Sequence, residues 1–166
     1  MPTGLLNSLS ADREAGAGQM ITPAQCALVV IDIQQKLLPA VFERERLLKN
    51  AQLLIRLALV LDIPIISTTQ YARGLGQTVP EIQSLLEKSW IDKQAFSCFG
   101  SDAFCSAVKS IPGPRNTVLL CGMESHICVA QTALGALQEG YIVHVASDAV
   151  SSRTEWNWKL GLDRMR

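Results

Sequence analysis

Three side chains of this 166-residue chain have the type and setting to do covalent chemistry: Asp32, Lys93 and Cys128. Asp32 follows the apolar run Ala27-Leu28-Val29-Val30-Ile31. A charge beside a buried run is costly without a partner, and open α/β sheets form their crevices at the carboxyl ends of central strands. The ordinary alternative is an Asp that caps a neighbouring loop. No second acid completes a DxD pair, which disfavours aspartyl-phosphate chemistry. Cys128 comes soon after the run Thr117–Cys121 and Gly122. With Ser125 as N-cap, its thiol would lie in a first helical turn, where the dipole favours a thiolate. The loop Gly122-Met123-Glu124-Ser125 offers backbone N–H groups that could hold an oxyanion. A buried core cysteine is the competing reading. Lys93, within Ile91-Asp92-Lys93-Gln94-Ala95-Phe96-Ser97, reads by position alone as a solvated lysine or as a functional cation.

A histidine is the usual partner of a reactive thiol, and the chain has two. His144 falls inside an apolar run and reads as structural. His126 is two positions from Cys128, and residues so spaced on a helix diverge. Asp32 is then the better base. Cys26, Cys98, Cys105 and Cys121 read as small core residues, and Trp156 and Trp158 as packing residues. Five thiols with no CxxC pair and no export signal point to a reduced, cytoplasmic protein without a zinc site.

Elements must bring these residues together. Continuous apolar runs at Cys26–Ile33, Ile63–Thr69, Thr117–Cys121 and Tyr141–Ala146 predict strands covered on both faces. Trp90–Lys93 predicts a shorter fifth. Helical stripes run over Arg44–Leu61, closed by Pro64, and over Ser125–Glu139, ended by Gly140. Ser101–Ile111 reads as a shorter helix, and Arg153–Arg166 as the start of another. Alternating strand and helix predict an α/β fold: three α/β/α layers around a mostly parallel, doubly wound, Rossmann-like sheet.

Composition bounds the partners. An apolar share of 48% and a charged share of 18% suit a globular domain. Fifteen basic residues balance fifteen acidic ones, so bulk charge draws neither nucleic acid nor an anionic membrane. No apolar stretch reaches the ~18 residues of a membrane span. Residues 1–23 read as a flexible leader and 24–166 as the domain.

Three segments together resemble a known family. Val29-Val30-Ile31-Asp32-Ile33-Gln34, Asp92-Lys93-Gln94-Ala95-Phe96-Ser97 and Gly122-Met123-Glu124-Ser125-His126-Ile127-Cys128-Val129 are similar to the motifs of the isochorismatase-like cysteine hydrolases, which include the nicotinamidases. The resemblance implies Cys128 as nucleophile, Asp32 as base and Lys93 as the cation that stabilises the thiolate. It implies a cis Met123–Glu124 peptide, with the N–H groups of Glu124 and Cys128 as oxyanion hole. It makes Gln34, Gln70, Tyr71 and Phe96 the substrate-pocket candidates. The implied reaction is hydrolysis of a small amide-like or related carbonyl substrate through a thioester, without cofactor, in a homo-oligomer (dimer or tetramer). The stretch Ser67 to Gly76 lacks the Asp and histidines with which nicotinamidases hold a metal, so no metal is expected. The resemblance is to the metal-independent, uncharacterised branch with a Gln-Tyr-x-x-Gly-Leu-Gly loop. The family's last strand is expected to be missing. A non-catalytic module on the same scaffold and an isochorismatase-type vinyl-ether hydrolase remain the alternatives.

Overall fold

The computed structural model describes residues 20–86 and 90–166. The expected leader falls outside the described residues, apart from 20–23. Five strands form one parallel sheet: β1 (Cys26–Ile31), β2 (Ile65–Gln70), β3 (Trp90–Lys93), β4 (Thr117–Met123) and β5 (Ile142–Ser151). Their order is β3-β2-β1-β4-β5, and all four pairings are parallel. The order reverses between β1 and β4, the switch point where crevices form. Between strands lie α1 (Arg44–Val60), the single turns α2 (Ala72–Leu75) and α3 (Pro80–Gln83), α4 (Asp102–Lys109) and α5 (Ala130–Gln138), with α6 (Glu155–Arg164) last.

Two-residue alternation sorts the strand side chains onto opposite faces. Leu28, Val30, Cys121 and Met123 pack beneath α1 through Leu47, Ala51, Ile55 and Ala58. Val29, Ile31, Val118 and Leu120 meet Phe104 and Val108 of α4 and Ala133 and Ala136 of α5. Helices thus cover both faces, which is why β1 reads as unbroken hydrophobicity. The three-layer α/β architecture is as the sequence predicts. Strand ends differ: β1 stops at Ile31 and β5 runs on to Ser151. Asp32 causes the first difference, since its left-handed backbone (φ 52°) turns the chain out of the ladder.

The predicted helix over Ser125–Glu139 is in two parts, a π-helical turn at Ser125–Val129 and then α5. Such turns recur at functional sites. Ser125 does not cap it. Its Oγ lies 2.7 Å from Ser152 Oγ and donates to the Trp158 carbonyl at 3.3 Å, bonds to the residue just after β5 and to α6 that no local pattern could announce. Trp158 packs as expected, with the Arg46 guanidinium 4.7 Å above its ring, whereas Trp156 is exposed.

Candidate active site

Asp32, Lys93 and Cys128 come together at the carboxyl edge of the sheet, beside the switch point. Lys93 ends β3 in register with Gln70, the last residue of β2. Its four-methylene stem crosses over β2 to reach Asp32 beyond the end of β1, with Nζ 2.8 Å from Asp32 Oδ2. Both groups are buried, at 0% exposure for Asp32 and 2% for Lys93. A buried ion pair is tolerable only when the remaining protons and lone pairs are also used, and here they are. Thr68 Oγ1 donates to Asp32 Oδ1 at 2.7 Å. Lys93 Nζ also donates to Gln70 Oε1 (2.9 Å) and to the Ala95 and Phe96 carbonyls (both 3.2 Å).

Cys128 reaches the same carboxylate from the other side of the switch point. Burial pushes its thiol well above the usual range, and the charge of Asp32 pushes it further. The Lys93 ammonium pulls it down, and a hydrogen bond to Asp32 raises it again. Burial and the facing carboxylate thus both work against the thiolate that a helix N-terminus would favour. Cys98, read from sequence as a core thiol, belongs to this neighbourhood too. Its Sγ is 3.8 Å from Thr68 Oγ1, and burial pushes its pKa up to about 11.

The turn that carries Cys128 is closely tied to its surroundings. Gly122 (φ 120°) stands beside Ile31, and a Cβ there would meet the Ile31 carbonyl oxygen at 2.0 Å. Only glycine lets β4 lie so close to β1. The Met123–Glu124 peptide is cis. Glu124 is then anchored by Arg153, whose backbone N–H and Nε donate to its two carboxylate oxygens at 3.2 and 3.1 Å. The Glu124 carbonyl accepts from Ile127 N–H (3.0 Å) and Val129 N–H (3.2 Å), passing over the Cys128 N–H between them.

Residues 26–166 match the isochorismatase domain model. The chain belongs to the isochorismatase domain family. Its isochorismatase domain is 38% identical over 153 residues to the secreted isochorismatase effector Isc1 of Phytophthora sojae, covering 90% of this chain and 72% of that protein. Among solved structures it is similar to the MAR1 ribonuclease of Caenorhabditis elegans (TM-score 0.81, 36% identity, 89% and 75% of the two chains). It is also similar to YcaC of Pseudomonas aeruginosa, solved with hexane-2,5-diol and covalent acrylamide (TM-score 0.83, 25% identity, 90% and 75%). The fold is that of the isochorismatase-like hydrolases.

Within this isochorismatase domain the remaining sequence candidates divide. Gln34 and Gln70 are buried, and their amides bond to the protein itself. Both bonds and burial tie them to the Lys93 cluster. Tyr71 and Phe96 are exposed near it: Tyr71 N–H donates to the Lys93 carbonyl at 2.9 Å, and the Phe96 carbonyl accepts from Lys93 Nζ. The Tyr71 ring lies against Gly74. His126 pairs with Ser152 Oγ through Nδ1 (2.9 Å), and His144 sits in β5. Sequence reasoning missed Thr68, whose hydroxyl fixes the Asp32 carboxylate; a threonine in an apolar strand carries no signal of that kind. Among the described residues, no three His, Cys, Asp or Glu side chains gather into a metal-sized group. Among the same residues, no helix is long and apolar enough to cross a membrane.

Proposed function

We propose that this isochorismatase domain is a cysteine hydrolase for a small amide-like or related carbonyl substrate. Cys128 is the nucleophile, Asp32 the base, and Lys93 the cation that offsets negative charge in the cluster. One observation carries the reading: a single buried carboxylate is bonded by the Lys93 ammonium and by the Thr68 hydroxyl, and is faced by the Cys128 thiol. As Cys128 Sγ bonds to the substrate carbonyl carbon, its proton passes to Asp32. The carbonyl oxygen becomes an oxyanion held by the Glu124 and Cys128 N–H groups. When the tetrahedral adduct collapses, the C–N bond breaks and Asp32 returns the proton to the departing amine. Water, deprotonated by Asp32, then cleaves the thioester to free acid and thiol.

The covalent acrylamide of the Pseudomonas aeruginosa relative supports this, since acrylamide is captured by soft nucleophiles. Phe96 and Tyr71, exposed beside Lys93, are offered as the mouth of the pocket. A homo-oligomer is part of the same reading, because α1 exposes Leu53, Leu57 and Val60 on the side away from the sheet. Five free thiols suit a reducing, cytoplasmic setting.

The test is amine release from a panel of small amides by wild type and Cys128→Ala, with intact mass of the quenched reaction. Cys128-dependent turnover with an acyl mass on the protein is expected. Turnover of a vinyl ether that survives Cys128→Ala, or cleavage of RNA in place of any amide, would overturn the proposal.

A further inference from the structure

We propose that Gln70 is the positioning residue of the Lys93 ammonium, and that Gln34 holds Gln70 in place for that task. The proposal rests on the acid, amine and thiol reading above and adds what keeps the amine a fixed, undivided charge.

Lys93 Nζ has three protons and four oxygens within reach: Asp32 Oδ2, Gln70 Oε1 and the Ala95 and Phe96 carbonyls. Its donors are used up inside the protein, so it acts on the site by charge and not by bonding a substrate. Of those four oxygens only Asp32 is anionic, and only Gln70 among the other three belongs to a side chain. The Gln70 amide can present its oxygen or its nitrogen to the ammonium. Its far end decides, because Nε2 donates to the Gln94 carbonyl at 2.7 Å and only an N–H can face that oxygen. Oxygen therefore points at Lys93.

Gln34 explains why Gln70 stays there. The β1–β2 ladder ends at the pair Ile31 and Thr68, because Asp32 turns the chain away. Two residues further along β2, the Gln34 side chain takes the place of the lost strand. Its Oε1 accepts from Gln70 N–H at 2.8 Å, and its Nε2 donates to the Gln70 carbonyl at 3.1 Å and the Gly76 carbonyl at 2.7 Å. Gln34 is fully buried, so each bond forms away from competing water. A buried amide thus imitates a strand at the one place where β1 had to leave the sheet to deliver Asp32.

A neutral acceptor is what the arrangement needs. A carboxylate at position 70 would put two anions on one ammonium and leave net negative charge beside the thiol, disfavouring the thiolate. The experiment is the pH dependence of iodoacetamide labelling at Cys128, followed by mass spectrometry in wild type, Gln70→Glu and Gln34→Ala. In Gln70→Glu the midpoint is expected to rise by about one pH unit, or ~10-fold slower labelling at a fixed pH below it. Gln34→Ala frees Gln70, weakens its hold on Lys93 and moves the midpoint the same way by a smaller amount. A folded Gln70→Glu protein with an unmoved midpoint overturns the proposal. Should Gln70→Glu fail to fold, an unmoved midpoint in Gln34→Ala overturns it equally. Labelling needs no turnover: shifted midpoints without hydrolysis of any amide would sink the hydrolase reading and leave this one standing.

Discussion

Lys93 Nζ lies 2.8 Å from Asp32 Oδ2 although the whole of β2 stands between their strands. Neighbouring strands are ~4.8 Å apart, so the two backbones are separated by roughly twice that distance. Only a long stem on β3 and an acid turned out of β1 can close it. The pair ties three strands together at their carboxyl ends and sets the charge that Cys128 meets.

Removing one partner should therefore cost more than removing both. Lys93→Met leaves Asp32 buried and uncompensated, for an expected loss of about 3–5 kcal/mol. Adding Asp32→Asn to it should recover much of that loss. Urea unfolding of the two singles and the double, analysed as a mutant cycle, checks the coupling; additive effects would contradict it.

Thiol ionisation and turnover should separate in Asp32→Asn. In wild type the Asp32 charge and hydrogen bond raise the Cys128 thiol, while Lys93 lowers it. Neutralising Asp32 removes its charge and leaves burial opposed by Lys93, so labelling of Cys128 should begin at lower pH than in wild type. Hydrolysis should fall by 100-fold or more, because the base is gone. Parallel labelling and amide-hydrolysis assays decide it, and a labelling midpoint that moved upward would show that the carboxylate does not face the thiol.

Alkaline pH should destabilise the fold through its buried thiols. Burial raises Cys98 to about 11 and Cys121 to about 12, against a reference value of 9.0. The folded state therefore holds these protons after the unfolded chain has released them. Their stability is fully present below pH ~9 and is lost as pH climbs through the folded values. Melting temperature should fall between pH 9 and 11, and Cys121→Val should flatten that fall; equal slopes would count against it.

Gly122→Ala should be severe. The new methyl would stand 2.0 Å from the Ile31 carbonyl oxygen, at a backbone φ of 120° that side chains avoid. A loss on the order of 3 kcal/mol or more is expected in chemical unfolding. Gly140→Ala is the control, also at positive φ (84°) but with open space around it, and should cost less.

Much of this was legible in the chain. Unbroken apolar runs at Cys26–Ile31 and Thr117–Cys121 declare doubly covered strands, because such runs are stable only between two helical layers. Asp32 was legible since an acid abutting such a run needs a reason. Lys93 was not legible from its own surroundings, where Asp92 and Gln94 make a polar patch; its burial follows from the stem crossing β2 to reach Asp32, Gln70 and the Ala95 and Phe96 carbonyls. The π-helical turn at Cys128 also escaped, because Ile127, Ala130, Leu134 and Leu137 fit a plain helical stripe.

By itself the sequence determined the order of elements, the two-faced sheet and the three motifs, since hydrophobic period and turn residues act over a few neighbouring positions. Tertiary structure alone decided the ionisation of the site. Whether Cys128 rests as thiol or thiolate depends on the through-space sum of burial, the Asp32 carboxylate and the Lys93 ammonium. Those groups are neighbours only after β1, β3 and β4 have taken their places in the sheet. Gln34 and Gln70 show the same division: their types are written in the chain, but their partners exist only where β1 leaves the ladder.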